Sequence, residues 1–111
     1  MSRAVQGNLQ TVETGDFTLN DVAINISADT DQDQVITYPG VDPTTDSVIG
    51  LNLLGDFSGV NGQFSLEPII TGKSEITIRV MAISALIINA GQLVRITVLR
   101  SENLTPSALA V

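Results

Sequence analysis

Glu75-Ile-Thr-Ile-Arg-Val-Met81 and Leu93-Val-Arg-Ile-Thr-Val-Leu99 decide the fold. In the first stretch Ile76, Ile78 and Val80 alternate with Glu75, Thr77 and Arg79. In the second Val94, Ile96 and Val98 alternate with Arg95 and Thr97. Period two puts one set of side chains on a buried face and the other in water, the pattern of a strand. Branched residues fill both segments and suit a pleated, half-buried surface. The stretch between them, residues 81–90 (Met-Ala-Ile-Ser-Ala-Leu-Ile-Ile-Asn-Ala), has a composition that a short helix would also accept. Its place between two alternating segments and its Ile87-Ile88 pair predict β structure instead.

The same alternation recurs upstream. Val22, Ile24 and Ile26 alternate with Ala23, Asn25 and Ser27; Ile49, Leu51 and Leu53 with Gly50 and Asn52; Phe64 and Leu66 with Gln63, Ser65 and Glu67. Turn signals stand between these runs: Gly15-Asp16, Pro39-Gly40, Asp42-Pro43, Gly55-Asp56, Asn61-Gly62, Gly72-Lys73 and Ala90-Gly91. Such pairs supply a positive φ or pre-set a bend. Short strands at regular spacing with frequent turns predict an all-β fold, a single antiparallel β-sandwich or jelly-roll-like domain. The 111 residues suffice for one domain. Residues 9–100 are expected to form the sandwich, 1–8 an N-terminal arm and 101–111 a C-terminal arm. The C-terminal stretch has no strand period, yet Leu104, Leu109 and Val111 are apolar. They either cover the edge of the domain's own core or reach a neighbouring subunit.

Composition narrows the function. Hydrophobic residues make up 43 %, enough for a core, and only four residues are aromatic. Net charge is −7, with a pI near 4.1. An acidic surface repels phosphate, so neither nucleic acid nor an anionic membrane is an expected partner. The charge is uneven: residues 1–60 hold nine acids and one base, residues 61–111 three acids and four bases. That asymmetry favours oriented docking. The first residues lack the apolar core of a signal peptide, and no apolar run approaches the ~20 residues of a membrane span. A chain made in the cytoplasm is expected.

There is no His and no Cys. Ser-His-Asp and Cys-His nucleophile systems are therefore excluded, along with most zinc, iron and copper sites. No Gly-rich phosphate loop precedes a helix, and a paired-carboxylate glycosidase would want more aromatic wall than four rings provide. The expectation is a chain that is not an enzyme and needs no cofactor.

Three groups of residues are candidates for binding. Asp29, Asp31 and Asp33 stand at alternate positions and offer oxygen ligands suited to Ca²⁺. Against that, Gln34 and Gly40 stand where an EF-hand loop needs Gly and Glu, and a solvated acidic loop that deters edge pairing is the plainer reading. Arg3, Arg79, Arg95 and Arg100 either balance the acidic half or form a contact stripe for an acidic neighbour. Gln32, Gln34, Asn52, Asn61 and Gln63 suit sugar hydroxyls, with Tyr38 and Phe57 as the aromatic residues near those loops.

Read from end to end, the chain resembles the small β-domains of tailed-bacteriophage virions. The opening Gly7-Asn-Leu-Gln-Thr-Val-Glu-Thr-Gly-Asp-Phe-Thr-Leu-Asn20, then Val22-Ala-Ile-Asn-Ile-Ser27, carries part of the likeness. Ser74-Glu-Ile-Thr-Ile-Arg-Val-Met-Ala-Ile83 and Ala90-Gly-Gln-Leu-Val-Arg-Ile-Thr-Val-Leu-Arg100 carry the rest. The Asn usual after the penultimate strand in that family is replaced by Ala82 to Ser84. The resemblance implies a capsid decoration (cement) protein, or else a tail, fibre or baseplate module. It implies the major capsid protein or another virion protein as partner, a homotrimer as the assembled form and the virion as location. It transfers no catalytic residue. A carbohydrate- or calcium-binding β-sandwich module is the alternative from another class, and calcium-dependent stability would favour it.

Overall fold

The alternating segments become strands along three passes of the chain. A computed structural model describes residues 8–103, all β with no helix among them. The first pass holds β1 (Asn8–Thr18), β2 (Ile24–Ile26) and β3 (Asp31–Thr37). The second holds β4 (Ser47–Leu53), β5 (Val60–Asn61) and β6 (Phe64–Gly72). The third holds β7 (Glu75–Ala82), β8 (Leu86–Ile88) and β9 (Leu93–Asn103). The third pass is central and runs antiparallel to both others. β1 and β4 flank β9, β2 and β5 flank β8, and β3 and β6 flank β7.

Backbone bonds carry the ladder across the breaks between sheets. Asp29 and Thr30 pair with Ala82, Ile83 and Ser84 donate to Gln63, and Leu19 donates to Gln92. The fold is thus one three-stranded ribbon, bent twice into three three-stranded sheets. Its two ends meet. The connection 38–46 leaves β3 beside the Lys73-Ser74 hairpin, where Tyr38 and Ser74 exchange bonds with Ser74 and Val41. It then enters β4, whose Ser47 lies opposite Leu99 near the far end of the ribbon. Nine residues span at most ~30 Å, whereas the 29-residue third pass laid out straight would be about three times longer. The ribbon must therefore roll up, which gives the nested pairing of a jelly roll.

The core lies inside that roll. Ile76, Ile78, Val80, Ala82, Leu86, Ile88, Val94, Ile96 and Val98 of the third pass are at most 4 % exposed. They supply nine of the fourteen buried apolar residues among those described, so the central pass sets the inner face. Each large side chain fully buried there contributes about 1.5–3 kcal/mol against exposure. Flanking strands close the core with half-buried residues such as Leu51, Leu53, Phe64, Leu66 and Ile70.

Four expectations change. Gly15-Asp16 is no turn but the middle of β1, facing Ile96 and Arg95. A side chain on Gly15 would fall 2.7 Å from the Phe17 ring, which packs tilted on Tyr38 with centroids 5.1 Å apart. The glycine makes room for an aromatic pair rather than bending the chain. Ile49 is exposed, because a bulge between Val48 and Gly50 inserts it as an extra residue. Val22 precedes β2 and is 70 % exposed. Strand β9 continues to Asn103, beyond the expected start of the C-terminal arm at 101. Its pairing with β1 accounts for that, with Ser101 opposite Gln10 and Asn103 opposite Asn8.

Candidate functional site

The three arginines of the third pass stand on the outer faces of the sheets, each beside a carboxylate from a neighbouring strand. Arg79 Nε donates to Asp33 Oδ1 at 3.2 Å, across the β3–β7 register. Arg95 holds Asp16 with two bonds of 2.8 and 3.0 Å across β1–β9. That contact lowers the Asp16 carboxyl below the usual range. Both pairs are half-exposed, and such pairs contribute little to stability. They do satisfy the cations within the chain, which favours charge balance over a stripe left open for an acidic neighbour.

Arg100 belongs to a denser cluster that locks the roll shut. It donates to both Glu13 oxygens at 3.2 and 3.3 Å, lies 3.5 Å from Asp46 and caps the carbonyl of Gly40. The Tyr38 hydroxyl also donates to Glu13, at 3.4 Å. The Asp46 side chain is only 3 % exposed. It accepts the backbone N–H of Ser101 at 3.0 Å, that of Asp42 at 2.9 Å and the hydroxyl of Thr45 at 3.1 Å. Burial pushes its pKa up, but those donors and the Arg100 charge outweigh burial, and the net shift is downward. Asp46 therefore bonds the crossover to β9 where the two ends of the ribbon meet.

This arrangement makes stability sensitive to acid. Asp16, Asp42, Asp46 and Asp56 all have folded pKa values below their ordinary ones. The stability they contribute is fully present above the unfolded carboxylate pKa of about 4 and is lost as pH falls through the lower folded values. Thermal melting followed from pH 7 to pH 2 should be flat until about pH 4–5 and then decline. Asp46→Asn should lower the neutral-pH stability by about 2 kcal/mol, because it replaces a charged acceptor with a neutral amide among donors. It should also shallow the acid decline, and an unchanged acid profile would remove Asp46 from this role.

Asp29, Asp31 and Asp33 do not converge. Asp29 sits in the turn before β3 with φ 62°, whereas Asp31 and Asp33 lie in the strand, the latter turned to Arg79. Among the described residues no three carboxylates gather in a way that would hold an ion. Of the proposed sugar-binding amides, Gln32 and Gln34 lie in β3, Asn52 in β4, and Asn61 and Gln63 beside Gly62; they are scattered over three sheets. Arg3, Leu104, Leu109 and Val111 lie outside the described residues, as do most of both arms.

Two features escaped the sequence reading. One is Asn20, 1 % exposed. Its Nδ2 donates to the carbonyls of Val22, Ile88 and Asn89 at 3.0–3.2 Å, and its Oδ1 accepts the Gln92 N–H at 3.2 Å. Its own carbonyl accepts the Gly91 N–H at 2.7 Å. A single amide thus fixes the β8–β9 connection from below. The other is an open depression of about 240 Å³ above that connection, lined by residues 54–59 and 89–93.

The outer faces also carry apolar residues. Val35 and Ile69 flank Thr77 in one cross-strand row of the β7 sheet, and they are 63 % and 42 % exposed. On the β9 sheet exposed Val12 stands opposite half-buried Leu99, and the exposed, bulged Ile49 lies on β4 two residues beyond Ser47, the other partner of Leu99. Comparison with protein-family models, with curated proteins and with solved structures returns no match for this chain.

Proposed function

We propose that this chain is a virion structural protein of a tailed bacteriophage that decorates the assembled capsid and stabilises it by binding its surface. One observation carries the reading: exposed apolar residues stand on two outer sheet faces, Val35 and Ile69 in one cross-strand row about Thr77, and Val12 and the bulged Ile49 on the two strands that flank β9. Isolated exposed apolar residues are ordinary, but grouped ones mark surfaces that another protein covers. The sequence resemblance of the two segments that became β7 and β9 points to the same class. The partner is the major capsid protein, and the functional form is a homotrimer, whose threefold closure multiplies weak contacts. Binding assembled shell but not free subunits stabilises the shell by linkage.

The test is co-sedimentation with capsid shells of the phage whose genome encodes the chain, prepared without the decorating protein. The protein should pellet with shells and raise their melting temperature. Val12→Glu and Val35→Glu should each keep the fold, changing stability by no more than about 0.5 kcal/mol. Each should reduce capsid binding at least about tenfold, the size expected when a carboxylate enters an apolar contact. Removal of residues 104–111 should weaken binding without touching β9. Protein that stays in the supernatant, or that labels tails instead of heads, would overturn the capsid assignment.

A further inference from the structure

We propose that the depression between the β4–β5 and β8–β9 connections is a carbohydrate-binding site, with Phe57 as its stacking platform. It exists because the ribbon opens there. Two backbone bonds bound the gap, Leu54 N to Leu93 O at 3.0 Å and Asn89 N to Gly59 O at 2.9 Å. Between them residues 55–58 bow away from residues 90–92, leaving about 240 Å³ open to solvent.

The loop is built at a conformational cost for which packing gives no reason. Phe57 has φ 59°, a left-handed conformation that bulky residues rarely adopt. It is 49 % exposed and takes no part in the core cluster. A glycine or asparagine would make this turn without strain. Backbone strain of this kind clusters at active sites and ligand clamps.

The polar groups around the ring suit a sugar. Asp56 Oδ1 accepts the Ser58 N–H at 3.0 Å, and that bond holds the carboxyl pKa below the usual range. Asn89 reaches over Gly59, where a side chain would come within 3.1 Å of it. Its amide makes no hydrogen bond among the described residues. Gln92 gives its Nε2 protons to the carbonyls of Leu54 and Leu93 at 2.7 and 3.0 Å, so its oxygen remains as an acceptor. One apolar face, a carboxylate and planar amides match a pyranose, which offers an apolar C–H face and adjacent hydroxyls that both donate and accept. Among the described residues no lysine or arginine lines the depression, so a phosphate-bearing ligand would meet Asp56 without a compensating cation from them. The Asn20 clasp under residues 89–92 holds the far wall in place before any ligand arrives. The residues lining the depression are distinct from the apolar residues proposed for capsid docking, Val12, Val35, Ile49 and Ile69.

The experiment is a titration of the ¹⁵N-labelled full chain with the methyl glycosides of glucose, galactose, mannose and N-acetylglucosamine, followed by amide shifts. At least one sugar should move the amides of residues 55–59 and 89–93 selectively. Phe57→Ala and Asn89→Ala should each weaken that binding by at least about tenfold, the scale of losing one well-placed contact in a small site. Phe57→Ala should melt at or above the wild-type temperature, since it loses no core contact. The proposal is overturned if none of the four sugars shifts those amides at tens of millimolar, or if Phe57→Ala binds as the wild type does.

Discussion

Ile78→Asp should leave the chain unfolded at ambient temperature and neutral pH. Ile78 is fully buried at the middle of β7, the central strand of its sheet, with Gln34 and Pro68 opposite it on the two flanking strands. Removing the isoleucine forfeits about 2–3 kcal/mol of burial. The carboxylate then faces Ile76, Val80, Leu86 and the rest of an apolar core. The nearest cation in sequence, Arg79, points to the opposite face and is bonded to Asp33. An unpaired buried charge adds several kcal/mol more, and the sum reaches the whole ~5–15 kcal/mol that holds a small domain together. Far-UV circular dichroism and a thermal melt read the outcome, with Val35→Asp as a companion that changes the same sheet on its outer face and should stay folded. A cooperative melt for Ile78→Asp would mean that Ile76, Ile78 and Val80 do not face the core.

The alternation of Ile76–Ile78–Val80 and Val94–Ile96–Val98 could be read because a central strand has neighbours on both sides and one invariant inner face. Each slip by one residue would send three branched side chains into water and an arginine into the core. The edge strands were harder to read, because their inward residues are only half-buried and tolerate interruption. The Val48/Gly50 bulge moves Ile49 outward while Leu51 and Leu53 stay inward, a change that composition does not register. Gly15-Asp16 misled for a related reason. A turn and a strand that must admit a neighbouring ring both use glycine, and only the long-range contact between Phe17 and Tyr38 separates them.

The candidate sites were legible to different degrees. Arg79 and Arg95 were placed on wet faces by period two, and the structure puts them there. Their carboxylate partners were not visible in the sequence, since Asp16 lies 79 residues from Arg95 and the pairing depends on β1 lying beside β9. Asn20, one asparagine between two segments, reads in the sequence as ordinary turn chemistry. Its importance comes from carbonyls almost 70 positions away. Phe57 is legible in the sequence as an aromatic near a polar loop, but its exposure and positive φ appear only in the folded chain. For Phe57 what stayed hidden is a local backbone conformation, and for Asp16 and Asn20 it is the approach of one pass of the ribbon to another.

That closeness is testable at a single atom. Gly62 follows β5 with φ 120°, and a methyl group there would lie 2.3 Å from the Ala85 carbonyl oxygen and 3.0 Å from Leu86 Cα. Both obstacles are backbone, so neither can rotate away. Moving Ala85 would pull on the bonds from Ile83 and Ser84 to Gln63 O and from Gln63 N to Ser84 Oγ, and would lift Leu86 out of the core. Gly62→Ala should therefore cost about 3 kcal/mol or more, combining an unfavourable φ with steric overlap. For a domain of this size that lowers the melting temperature by on the order of 15 °C. Gly55→Ala supplies the comparison: its φ of 107° is similarly unfavourable, but nothing lies within 4 Å of the added carbon. It should cost only about 1 kcal/mol. The difference between the two variants isolates the approach of the second pass to the third. Equal losses would mean that backbone conformation alone is responsible and that the two passes do not meet at Gly62.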